Sequence, residues 1–136
     1  MEKSVKHIFG LPVDIFVRVT RIYEVFTMIN LLSKAEEMFL LAIYRLEDNA
    51  YGVTIRKQIL DTTGKDYTYG TLYGILEQLV RKGYILRIKG DPTPERGGRS
   101  KTFYTLTPEG VASLKNAMEV HQQVWKGISR ITLHKA

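Results

Sequence analysis

Seven basic side chains crowd the stretch from Arg81 to Lys101: Arg81, Lys82, Arg87, Lys89, Arg96, Arg99 and Lys101. Only Asp91 and Glu95 oppose them. A local excess of positive charge is chemistry for a polyanion, because each cation that meets a phosphate releases a condensed counterion. The same charges on a solvated hairpin would serve solubility alone, and charge by itself does not separate the two readings. Just upstream, Tyr69-Gly70-Thr71-Leu72-Tyr73-Gly74 sets two phenol rings, one threonine hydroxyl and two positions without side chains close together. At helical spacing Tyr69, Gly70, Thr71, Tyr73, Gly74, Gln78 and Arg81 share an outer face, while Leu72, Ile75, Leu76 and Leu79 share an inner one.

Chemistry that makes or breaks bonds is poorly represented. No paired carboxylates, nucleophile motif or metal cluster stands out, so no catalytic residue, metal or cofactor is expected, and the chain does not read as an enzyme. Gly97-Gly98-Arg99 has the composition of an anion-binding turn, but it opens a strand, whereas phosphate-cradling loops lead into a helix N-terminus. The chain has no cysteine, which removes disulfides and thiolate ligands. His7, His121 and His134 lack metal-ligand spacing.

The elements that must position these residues follow from local patterns. Ser33-Lys34-Ala35-Glu36 fits a capping box and starts a helix. Its run from Met38 to Leu46 is nearly all apolar, so one face needs the core and the other needs a second cover, from the N-terminal segment or another subunit. Asn49 to Gly52 read as a turn. Val53 to Asp61 read as a short helix with Ile55, Ile59 and Leu60 inward and Arg56 and Lys57 outward. Gly64 is its C-cap. The helix from Thr68 or Tyr69 carries the two faces described above and ends at Gly83. Tyr84–Lys89 and Lys101–Leu106 are strands joined by a Pro- and Gly-rich tip. Thr107-Pro108 starts the last helix, with Thr as N-cap and Pro at the first helical position. That helix is expected to run to about Arg130. Met118, His121, Val124, Trp125 and Ile128 lie on or beside its heptad-like stripe, too long for one small domain to cover.

This order of elements makes a mainly α fold with a small β-ribbon: a winged helix-turn-helix plus a long C-terminal helix. Three parts are expected: an N-terminal extension over 1–31, the winged helix-turn-helix over 32–107 and a dimerisation helix over 108–136. In the extension, Val13, Ile15, Val17 and Val19 alternate as in a strand, while Ile15, Val19, Ile22, Phe26 and Ile29 fall on one helical face. A helix from about Asp14 is the favoured reading. Asp14, Arg18 and Arg21 interrupt the apolar stretch, which makes a poor signal peptide, and no run is long and apolar enough for a membrane span. A cytoplasmic protein is expected.

Tyr51-Gly52, Gly70-Thr71-Leu72-Tyr73 with Leu76 and Leu79, Gly83-Tyr84-Ile85, Gly97-Gly98-Arg99, and Tyr104-Thr105-Leu106-Thr107 with Gly110 occur here in order. From about Leu32 to Arg130 the chain resembles the PadR family of bacterial transcriptional regulators. The resemblance implies a dimer that binds operator DNA, with a C-terminal helical region for dimerisation and, in many members, a response to small aromatic or drug-like ligands. The segment before Leu31 departs from the family pattern. Met28 lies where a start would be expected, so residues 1–27 are either upstream translation or an added segment. Room for one C-terminal helix only marks the short type.

The resulting expectation is a sequence-specific regulator of transcription, a repressor released by a small-molecule effector. Its partners would be double-stranded DNA, a second copy of the chain and a small aromatic effector. Tyr69, Thr71 and Tyr73 would face the major groove or its walls, and Gly70 would leave the backbone close to the DNA. Arg56, Lys57, Arg96, Arg99 and Lys101 would neutralise phosphates. Tyr73 has a second reading, as a partly buried ring bracing the first helix, and Tyr104 reads as structural. Met118, His121, Val124, Trp125 and Ile128 would form the dimer interface. Trp125 would pack there or offer a platform for an aromatic ligand. The rival is a winged-helix module that binds proteins, which would keep the core stripe without needing the charge excess.

Overall fold

A computed structural model describes residues 7–8, 11–15, 17–18, 31–91 and 100–135. The chain divides into two compact units, Met1–Leu31 and Leu32–Ala136. In the first, β1 (His7–Ile8) pairs antiparallel with β2 (Leu11–Pro12), His7 opposite Pro12 and Ile8 opposite Leu11. Residues 13–15 and 17–18 are helical, so the alternation of Val13, Ile15 and Val17 does not make a strand. The remainder of the helix expected from Asp14 onward lies outside the described residues.

The second unit opens with α1 (Lys34–Leu46), capped as its sequence requires. The Glu36 backbone N–H donates to Ser33 Oγ at 3.1 Å, and the Ser33 N–H donates to Glu36 Oε1 at 2.9 Å. Phe39, Leu40, Ala42 and Ile43 are buried, whereas Leu41 and Tyr44 stay exposed at 41% and 64%. One face of the apolar run is thus covered and the other is not. After α1, Glu47 takes the left-handed φ of +52° and a 3-10 turn (Glu47–Asn49) follows. The turn expected over 49–52 does more than reverse the chain. Ala50 is fully buried and its carbonyl accepts from the Tyr104 N–H at 2.8 Å, while Tyr51 forms a bridge with Phe103.

Helix α2 (Gly52–Thr63) buries Ile55 and Ile59 and ends at Gly64, whose φ of +78° suits glycine. Leu60, expected inward, is 39% exposed. The buried edge of this short helix runs through Gly52, Ile55 and Ile59, and Leu60 lies about 100° round from Ile59. Helix α3 (Tyr69–Arg81) is capped by Thr68, whose hydroxyl accepts from the Thr71 N–H at 3.3 Å. Leu72, Leu76 and Leu79 are fully buried, and Ile75 packs half-buried beside them. Full burial of three leucine side chains contributes on the order of 1.5–3 kcal/mol each, before the cost of ordering them. Gly83 at φ +78° turns the chain into the ribbon.

The ribbon pairs β3 (Ile85–Lys89) antiparallel with β4 (Thr102–Leu106), with Ile85 opposite Leu106 and Arg87 opposite Tyr104. Ile85 and Tyr104 are buried on its inner face. Thr107 then joins ribbon to helix. Its hydroxyl donates to the Gly83 carbonyl at 2.6 Å and accepts from the Gly110 N–H at 3.0 Å. A Cβ on Gly110 would stand 2.1 Å from the Tyr84 carbonyl oxygen, so only glycine lets α4 (Pro108–Val124) start here.

The last helix is shorter than expected. It stops at Val124 rather than near Arg130, because Gly127 takes φ +78° and Ser129 caps a separate short helix, α5 (Arg130–His134). Ile128 therefore lies beyond a turn and not on the stripe that carries Met118 and His121. Among the described residues, no helix is long and apolar enough to cross a membrane.

Candidate nucleic-acid interface

The outer face of α3 is held rigidly from behind by its three buried leucines, and what it presents is planar. Tyr69 and Tyr73, 40% and 45% exposed, stack with centroids 6.3 Å apart and planes at 26°. The Arg56 guanidinium lies over the Tyr69 ring, 4.7 Å from its centroid. Its Nε and Nη2 donate to the two carboxylate oxygens of Asp66 at 2.8 and 3.1 Å. The hydrogen bonding to Asp66, followed by that with Tyr69, raises the Arg56 pKa above the ordinary value. At the other end of the row, the Tyr73 hydroxyl rests on Gly52, where a Cβ would meet it at 2.3 Å. Tyr73 therefore braces the start of α2 and keeps an exposed edge. Arg56, Tyr69 and Tyr73 form one continuous row across α2 and α3.

Thr71 is exposed, and the Thr68 hydroxyl donates to its Oγ1 at 3.1 Å. A Cβ at Gly70 or Gly74 would meet no atom within 4 Å. Neither glycine is required by packing, and Gly74, inside the helix, costs about 0.5–1 kcal/mol relative to alanine. Their use on this face fits close approach of another backbone. Lys57 points into an exposed ion pair with Asp61 at 2.8 Å, which raises its pKa. Lys101 stands apart from the row, its ammonium 4.3 Å over the Tyr51 ring, and that ring meets Phe103 edge-on at 5.5 Å. Arg96 and Arg99 lie outside the described residues. Of the other cations in the basic stretch, Lys82 is bound to Glu36 and Arg87 pairs with Glu77.

Glu36 ties the back of this site together. Its side chain is buried, yet Lys82 Nζ donates to Oε2 at 2.6 Å and Gln78 Nε2 donates to it at 3.2 Å. Burial alone pushes the carboxyl up. Lys82, by hydrogen bond and charge, and the Ser33 backbone and hydroxyl outweigh it and hold the group below its ordinary value. The start of α1 is thereby pinned to the last turn of α3. Burial raises the Tyr104 pKa, in keeping with a structural ring.

Helices α1 and α4 border a mainly apolar groove of about 460 Å³ whose lining includes Leu41, Tyr44, Val111, Leu114, Met118 and His121, with Lys34, Glu37 and Lys115 beside them. Met118, Val124, Trp125 and Ile128 are exposed at 64%, 67%, 45% and 46%, and the His121 and Trp125 rings lie 5.8 Å apart. Among the described residues, no group of three His, Cys, Asp or Glu side chains could hold a metal ion.

Reading the sequence alone missed Asp66, Gly52, Tyr51 and the Glu36–Gln78–Lys82 cluster. Tyr51-Gly52 is noticeable as a dipeptide, but the ring contacts of Tyr51 and the closeness of Gly52 to Tyr73 depend on how α2, α3 and β4 pack.

Comparison with known proteins agrees with this architecture. The model of the transcriptional regulator PadR-like family matches residues 40–116. A transcriptional regulator from Clostridium thermocellum superposes with a TM-score of 0.57 at 28% identity, covering 68% of this chain and 87% of that one. A PadR-like transcription factor from Bacteroides fragilis superposes with a TM-score of 0.60 at 22% identity, covering 71% and 88%. RosR of H. salinarum does so at 0.57 and 23% identity, covering 72% and 81%. The last two likenesses concern the fold alone. No curated protein sequence matches the chain.

Proposed function

This chain belongs to the PadR-like family of transcriptional regulators, and on that premise we propose that it binds double-stranded DNA as a homodimer, represses transcription in the cytoplasm and is released by a small aromatic effector. The observation that carries the DNA reading is the exposed face of α3, rigid behind and planar in front, with Gly70 and Gly74 open to solvent. Tyr69, Thr71 and Tyr73 are the candidate base and sugar contacts. Lys57, Lys101 and the wing arginines Arg96 and Arg99 are the phosphate contacts.

The dimer reading rests on the uncovered side of the unit. Leu41, Tyr44 and Met118 border the groove between α1 and α4, and Val124, Trp125 and Ile128 extend the apolar surface past it. A two-fold pairing through this surface would bury it and set two copies of α3 about 34 Å apart, one DNA turn. Trp125, half-exposed beside His121, is the candidate platform for a flat effector near the axis.

The test is fluorescence anisotropy with two duplexes: one of random sequence, and one selected by the protein from a random pool. Thr71→Ala and Tyr69→Ala should lower the selected-to-random affinity ratio with an unchanged circular dichroism spectrum. Arg99→Ala should weaken both duplexes alike and flatten the salt slope by about one unit. No binding of any duplex at low salt would leave the chain a protein-binding winged helix.

A further inference from the structure

The row Arg56–Tyr69–Tyr73 is flanked by a charge that opposes DNA. Asp66 sits in the turn that leads into α3, and its carboxylate holds the Arg56 guanidinium with two hydrogen bonds, at 2.8 and 3.1 Å. We propose that Asp66 is a specificity-determining residue: it keeps Arg56 stacked on Tyr69 and withholds that cation from DNA phosphates. The proposal rests on the reading that the outer face of α3 meets DNA.

Three observations carry it. The pairing is bidentate, which matches the planar fork of arginine and fixes its orientation, whereas a single contact would leave it free to swing. The fixed plane then lies 4.7 Å over Tyr69, which stacks on Tyr73, so one carboxylate sets the position of three planar groups. Finally, both partners are partly exposed, with side-chain exposures of 32% and 54%, and an ion pair so exposed adds little to folding. Its consequence is local charge. An unpaired arginine here would attract any phosphate, whatever the sequence. Paired with Asp66, it adds no net charge, and the face keeps its aromatic edges and hydroxyls for contacts that depend on bases. Selectivity is a difference of affinities, so weakening attachment to all sequences raises it as surely as strengthening one. Lys57 differs: its pair with Asp61 is a single contact between two exposed side chains four residues apart, and it can open to a phosphate.

The experiment compares salt slopes for Asp66→Asn in two backgrounds, using a random-sequence duplex and a duplex selected by the wild-type protein. In the wild-type background, Asp66→Asn should tighten binding to random duplex about five-fold at physiological salt and steepen the slope by about 0.9, one phosphate contact. The selected duplex should gain less, so the ratio falls. In an Arg56→Gln background, Asp66→Asn should leave the slope unchanged, because no guanidinium remains to be released. Asp66→Ser provides a second variant, and both should melt within a few degrees of wild type. An equal gain in both backgrounds would mean general repulsion and overturn the proposal. So would an unchanged slope in the wild-type background. If the wild-type protein binds no duplex at low salt, the DNA reading itself fails, an outcome distinct from either.

Discussion

Helices α3 and α4 are successive long helices of one small unit, yet they are anchored differently. Over 13 residues α3 buries three leucines completely, while over 17 residues α4 buries only Gly110. The outer face of α3 is polar and aromatic, with Tyr69 under Arg56, Tyr73 against Gly52 and Thr71 bonded by Thr68. The outer face of α4 carries Met118 and Val124 into solvent. The difference separates two kinds of surface. One is finished within the single chain and presents fixed groups outward. The other leaves apolar side chains uncovered, and it is the surface through which the proposed dimer would form.

The sharpest way to break this contrast is to empty the core behind α3. Leu72→Ala removes a fully buried side chain and should cost about 2–5 kcal/mol in urea denaturation. A loss under about 1 kcal/mol would mean that α3 is not anchored through this stripe. The unfinished surface should respond the other way. Met118→Glu combined with Trp125→Glu should leave the unfolding of the single chain nearly unchanged and give a monomer in analytical ultracentrifugation. DNA affinity should then drop about 100-fold or more, since the two contacts no longer reinforce one another. A double variant that remains dimeric would move the interface off α4.

A smaller effect tests the tie between α1 and α3. The Glu36 carboxyl is held below its ordinary value near 4.5, so its contribution is fully present above that pH and is lost as pH falls through the lower folded value. Stability should therefore decline below about pH 4.5, and Glu36→Gln should flatten that decline by on the order of 1 kcal/mol. Identical acid profiles for the two proteins would show that Lys82 does not favour the ionised form.

The smallest change is the most discriminating about surfaces. Gly74→Ala meets no atom within the protein and should stabilise α3 by about 0.5–1 kcal/mol while weakening DNA binding. Stability and binding moving in the same direction would contradict close approach at this position. At Gly52 an added Cβ would instead push Tyr73 aside, so Gly52→Ala should disturb the aromatic row without help from DNA.

Much of this unit was legible because its signals are local or periodic. The capping box of Ser33 and Glu36, the leucine stripe of α3, the Gly64 and Gly83 stops and the Thr107-Pro108 start each depend on residues within a turn or two of one another. The same kind of reasoning overextended the last helix, because an apolar stripe continues through residues on both sides of a break. Gly127 breaks it, and glycine alone does not say whether its permissive φ will be used.

Composition and periodicity by themselves determined a mainly helical unit with a ribbon, the inner and outer faces of α3, and an apolar excess on the final helix. These follow from which residues avoid water and at what spacing. Only the tertiary structure decided what the outward groups do. It set Arg56 on Asp66 across a turn, Lys82 and Gln78 on Glu36 from the far end of another helix, Tyr73 over Gly52, and Ala50 beside Tyr104. A side chain's partner is chosen by which elements the core brings together, and that choice leaves no trace in the spacing of either residue's own segment.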